Sequence, residues 1–242
     1  MAERDSSSSS RATPDPTGVV SRRQALTTAG ALAAAGVATL PAVAGAGGEP
    51  AGGQVGIAPS PANAVEFRAR FVQTGSSGED FAAYGYLTRA EGTSGSDLFA
   101  GTTHDVTTAL FTAYASGKLT QRVLDKSVHA LDIEGALTIY QRITAGASFG
   151  LPSSFQVGLP VARFDLTLQD ILTVFVPGRG IPTLTGGMRQ TLADRLLVGP
   201  PVGRRFGRMG SRARFFATGV GDLVDPVTLN AELEMVGNWV VE

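Results

Sequence analysis

The residues with chemistry to offer are few. Asp132 and Glu134 stand two positions apart, with Tyr140 further along, in Leu131-Asp132-Ile133-Glu134-Gly135-Ala136-Leu137-Thr138-Ile139-Tyr140. Two carboxylates on one strand face crowd each other, and crowding and burial both raise a carboxylate pKa, as general acid–base work requires. These three are the catalytic candidates if their face lines an interior. Leu131, Ile133, Leu137 and Ile139 occupy the opposite face, so a solvated, outward-facing arrangement is the default. Asp165 and Gln169 carry the same ambiguity.

Arg204, Arg205, Arg208, Arg212 and Arg214 follow Gly199-Pro200-Pro201, with Phe206 and Met209 between them. Arg204, Arg205 and Arg208 are the candidate contacts for an anion such as a phosphate, a carboxylate or an acidic envelope polymer. The alternative is a solvated loop whose charges pair with nearby acids. The chain has two histidines, His104 and His129, without HxH or HExxH spacing. A metal site needs three or four ligands in a defined geometry, so no metal is expected and both read as surface or turn residues. No G-x-S-x-G elbow, P-loop or dinucleotide fingerprint occurs, and no cofactor is implied. The absence of cysteine removes disulfides, thiolate metal sites and cysteine nucleophiles. A net charge of −1 argues against general nucleic-acid binding, which rests on a basic field.

The elements that must position these residues read as strands. Val65, Phe67, Ala69 and Phe71 alternate with charged residues, which is period two with one buried face. Further strands are expected over Phe81–Thr88, Val106–Ala115, Leu119–Ser127, Leu131–Tyr140, Val161–Val174, Arg212–Thr218 and Thr228–Val241. Ser116-Gly117-Lys118 reads as a tight turn, and Gly178-Arg179-Gly180 and Gly219-Val220-Gly221 as turn glycines. Ala145–Pro160 and Pro177–Gly187 read as long loops. Met188–Leu197 reads as one short helix, because Leu192, Leu196 and Leu197 have helical spacing. The fold class is all-β: an antiparallel barrel of about eight strands, closed because closure removes exposed edges. The aromatic residues on the strands, Trp239 among them, read as core.

Upstream, Ser21-Arg22-Arg23-Gln24-Ala25-Leu26 precedes a mildly apolar Ala-rich run to Leu40, then Pro41 and small residues through Ala44 and Ala46. The run is weaker than the roughly 20 strongly apolar residues of a membrane span. Paired arginines, a soft apolar segment and an A-x-A site resemble a twin-arginine export signal. The resemblance implies cleavage near Ala44 and Ala46, transport by the twin-arginine machinery in the folded state, and an extracytoplasmic protein with no stable membrane anchor after cleavage. Ordinary secretory export is the second route. The chain then divides into a signal peptide over 1–46, a Gly/Pro/Ala-rich linker over 47–63 and a single barrel domain over 64–242.

The layout of long strands, with an early pair over Phe67–Thr88 and a late Phe215-Phe216-Ala217-Thr218-Gly219-Val220-Gly221, resembles the allene oxide cyclase and dirigent-like barrels, a calycin-like group. That resemblance implies an eight-stranded barrel with a central apolar cavity; it carries no residues across. Three functions compete. The first is an exported bacterial barrel holding a small apolar ligand in its lumen. The second is a cyclase- or isomerase-like enzyme working in that cavity. The third is a non-catalytic cell-envelope protein using the arginine loop. Oligomeric state is left open.

Overall fold

The computed structural model describes residues 63–76, 78–196, 203–225, 227–228 and 230–242. Arg22, Arg23, Ala44 and Ala46, the expected export signal, and nearly all of the 47–63 linker lie outside the described residues, as do Leu197, Pro200 and Pro201.

The alternating segments form eight strands: β1 (Ala64–Thr74), β2 (Asp80–Ala90), β3 (Phe111–Asp125), β4 (Val128–Gln141), β5 (Leu159–Val176), β6 (Arg179–Ala193), β7 (Arg212–Val224) and β8 (Ala231–Val241). Each pairs antiparallel with the next, and β8 returns to β1 with Trp239 opposite Val65, so the barrel is closed. Closure satisfies every strand edge. The two-residue period sets which side chains go inside. On β4, Leu131, Ile133, Leu137 and Ile139 are buried inward, while Asp132, Glu134 and Tyr140 take the outer face. On β5, Phe164, Leu166, Leu168 and Leu172 point in, and Arg163, Asp165, Thr167 and Gln169 point out.

The interior is packed rather than hollow. Phe67 stacks on Phe215 at 5.3 Å between ring centres and lies 5.7 Å from Trp239; Phe71 and Phe81 meet at 5.6 Å. The space left among these rings, Ala69, Ala83, Ala115, Leu137 and Leu166 is about 30 Å³, room for a water and little else. Inward glycines let the wall curve this tightly. Gly117 and Gly135 face each other across β3 and β4. A Cβ on Gly135 would lie 2.8 Å from Gly117 Cα and closer still to the Ser116 carbonyl.

Five local expectations fail. Ser116-Gly117-Lys118 is not a turn but the middle of β3, since Gly117 serves close approach to Gly135. Val106–Ala115 and Leu119–Ser127 are therefore not two strands: Phe111–Asp125 is continuous. Gly219-Val220-Gly221 lies inside β7, where a Cβ on Gly219 would run into the backbone at Glu234. The described part of Met188–Leu197, through Leu196, is not a helix, and Pro177–Gly187 is not a long loop: β6 follows a tight turn at Gly178 (φ 80°) and runs on to Ala193. Its inward positions are Gly180, Pro182, Leu184, Gly186, Met188 and Gln190, too mixed in character to show the period two.

Two connections add a second layer outside the barrel. Residues 142–158 lay Phe149 and Phe155 against the outward Tyr84, at 6.1 and 5.3 Å. Thr112 Oγ1 donates to the Phe155 carbonyl at 2.9 Å. Buried Arg142 ties the loop by donating to the carbonyls of Thr144 (3.1 Å) and Ser154. The 91–110 connection, with the short helix α1 (Gly95–Leu98), sets Phe99 edge-on to Tyr86 at 6.1 Å.

Candidate functional site

One end of the barrel opens into a pocket of about 320 Å³, within the range that holds small ligands. Its walls are the start of β1 (Asn63–Val65), the end of β2 with the residues after it (Ala90–Thr93), and the β6–β7 connection (Leu196, Arg204–Gly207). Phe164, Trp239 and Val241 supply apolar surface from β5 and β8. Trp239 is 2% exposed and lies 6.2 Å from Phe164, so the floor of the pocket is the top of the aromatic core.

The polar side of the pocket is built by Gln190. This residue falls at an inward position of β6 and is buried. Its amide nitrogen donates to the carbonyls of Leu192 (2.9 Å) and Phe206 (2.6 Å), and its carbonyl oxygen accepts from the Arg208 backbone N–H (3.1 Å). Leu196 N–H donates to the Arg204 carbonyl at 2.7 Å, and Arg205 Nη1 donates to the Ala193 carbonyl at 2.9 Å. Phe206, pinned by these bonds, packs toward Phe111 at 6.2 Å. This clasp presents Arg204 and Arg205 at the pocket wall, which Glu91 also lines, its carboxylate accepting the Asn63 backbone N–H. Among the described residues, neither Arg204 nor Arg205 has a carboxylate within ion-pair distance. With Glu91 counted against them, the two guanidiniums leave one net positive charge beside an aromatic floor, an electrostatic match for a monoanion with an apolar body.

The structure separates the three arginines singled out from sequence. Arg204 and Arg205 line the pocket, whereas Arg208 is exposed and contributes its backbone N–H to the Gln190 clasp. Asp132, Glu134 and Tyr140 stand on the outside of β4, where Asp132 accepts from Gln169 Nε2 at 3.0 Å; they do not converge on a cavity. His104 stacks on Phe99 at 4.6 Å in the 91–110 connection. His129 points inward on β4 and is buried, with Nε2 3.2 Å from the Lys126 carbonyl. Among the described residues no group of three or more His, Asp or Glu could hold a metal ion.

A second polar feature lies at the other end of the barrel. Asp170 on β5 is 3% exposed among Phe71, Phe81, Ile133, Leu184 and Leu233, and accepts the Thr183 backbone N–H at 3.1 Å. Burial pushes its carboxyl up to about 7. The gap beside it is about 10 Å³, which leaves no room for a substrate.

Gln190 and Glu91 escape sequence reading, and Trp239 reads only as core. The one signal for Gln190 is a polar residue where strand alternation calls for an apolar one, and the Gly-rich strand around it hides that alternation. No protein-family model matches the chain, and no curated protein or solved structure matches it significantly.

Proposed function

We propose that this chain is an exported ligand-binding barrel that takes a small apolar anion in the pocket at its open end. The observation that carries the reading is the pairing of an aromatic floor, Trp239 and Phe164, with two arginines, Arg204 and Arg205, that have no described carboxylate within ion-pair distance and that outnumber Glu91 in the pocket wall. The ligand's apolar body lies against Val65, Leu196, Phe206 and Val241 above the nearly buried rings, and its charged group meets the guanidiniums at the wall. The packed lumen supports a site at the barrel mouth over the expected one deep inside, because 30 Å³ holds no organic molecule. Export rests on Arg22, Arg23 and the small residues at Ala44 and Ala46. The eight-stranded up-and-down order supports likeness to the calycin-like barrels at the level of layout, and fold alone carries no activity.

Trp239 is the only tryptophan, so emission reports the pocket directly. Titration of the purified protein with decanoate is expected to change Trp239 fluorescence and saturate. Arg204→Gln with Arg205→Gln is expected to weaken decanoate at least tenfold while leaving decanol unchanged, since charge-assisted hydrogen bonds are worth about 1.5–3 kcal/mol each. Emission that responds to neither probe in the wild-type protein would sink the proposal.

A further inference from the structure

The outer wall of β5–β7 carries a second arginine cluster, separate from the mouth pocket. Arg189 on β6 and Arg212 on β7 are directly opposed cross-strand partners. Like charges in that position destabilise a sheet, and Asp165, which opposes Arg189 from β5, offsets only part of that cost. Among the described residues neither has a carboxylate within 4 Å. The next cross-strand row is Thr167, Gly187 and Arg214. A Cβ on Gly187 would meet nothing within 4 Å, so the glycine is not there for close packing; it leaves a hollow in the wall. The groove over it, about 330 Å³, is lined by Arg189, Arg212, Arg214 and Thr167, together with Asp165 and Glu242. Arg214 donates to Glu242 at 2.8 Å.

We infer that the groove over Gly187, between Arg189, Arg212 and Arg214, is a binding site for a phosphate group. A repulsive arginine pair kept beside a vacant hollow costs stability that an oxyanion would recover. Three guanidiniums from β6 and β7 and the Thr167 hydroxyl line the groove, and a phosphate, with more oxygens than a carboxylate, can engage more of these donors. With Asp165 and Glu242 counted against the three arginines, one positive charge remains. That balance matches the single charge of each phosphodiester along a polyanion, and also the monoanion of free phosphate.

The test uses the purified full-length chain and follows amide and arginine Nε signals by NMR. The ligands are inorganic phosphate, a glycerol-phosphodiester oligomer, and acetate at the same ionic strength. Binding is expected for phosphate or the oligomer, with shifts centred on Gly187. Tighter binding of the oligomer identifies a polymer as the source, and equal binding identifies free phosphate. Arg189→Gln with Arg212→Gln is expected to weaken binding at least tenfold and to raise the melting temperature in phosphate-free buffer. Gly187→Leu, which fills the hollow, is expected to block binding. Arg163→Gln, on the same wall but outside the groove, is expected to change nothing. The inference is overturned if neither phosphate ligand shifts these signals at millimolar concentration, if acetate binds as tightly, or if the double variant binds as the wild type does.

Discussion

Asp170 shows what one misfit residue does to the energetics of the barrel. Its carboxyl sits in a largely apolar wall with one backbone N–H as hydrogen-bond partner, and burial pushes it up to about 7 from the ordinary 3.8. The folded state therefore keeps a proton that the unfolded chain releases. Stability is complete below the unfolded value, declines as pH rises from about 4 to about 7, and levels off above that. The gap is worth roughly 4 kcal/mol as an upper bound. Asp170→Asn keeps an oxygen for the Thr183 N–H and removes the charge. Urea unfolding at pH 5 and pH 8 should show the wild-type protein losing stability across that interval, while the variant loses much less and is the more stable of the two at pH 8. Equal pH slopes for both would mean that the Asp170 carboxylate is solvated. Asp132 and Glu134 make the contrast. They lie on the outside of the wall, and Asp132→Ala with Glu134→Ala should move stability by no more than about 0.5 kcal/mol per site and leave Trp239-detected decanoate binding unchanged.

At the scale of elements, strand alternation was legible wherever the inward positions carry large apolar side chains. Leu131 to Tyr140 and Val161 to Val174 show it plainly, and both became strands with the expected inner face. It was illegible where glycine takes an inward position, as in β3 and β6, because a missing side chain looks like a turn and not like half of a close approach. Arg204 and Arg205 stood out as a charge concentration. Gln190, which anchors their connection through Phe206 and Arg208, and the floor residue Trp239 did not, because the pocket is assembled from strand ends far apart in the chain. The glycine reading has a sharp consequence. Gly135→Val would drive a side chain into the Ser116 carbonyl and Gly117, and overpacking of this kind costs about 1–3 kcal/mol or more. Thermal unfolding measures it. Gly178→Asn, at a turn with φ 80°, should cost less than about 1 kcal/mol, because asparagine tolerates the left-handed region. If Gly135→Val and Gly178→Asn cost the same, close approach is not what holds glycine in the wall.

The whole molecule is closed by its two most distant strands. Arg68 on β1 and Glu234 on β8 are 166 positions apart and form one of the ion pairs across the seam. Until β8 is made, β1 has only one neighbour and the cylinder stays open, so folding waits for nearly the entire chain; such non-local closure is slow. With no cysteine, nothing in the fold depends on an oxidising compartment. Both properties are compatible with transport after folding, the route we propose from the Arg22-Arg23 pair. Arg22→Lys with Arg23→Lys should leave the precursor inside the cell with a protease-resistant core beginning near Ala64, measured by fractionation and limited proteolysis. A chain ending before Ala231 lacks β8 and cannot close. It should fail export behind its own leader yet be exported when given an ordinary secretory signal, which carries unfolded chains. Efficient export of the β8-less chain behind the native leader would show that closure is not required for transit. The paired arginines would then belong to a general secretory leader, while the barrel and its mouth pocket would stand as described.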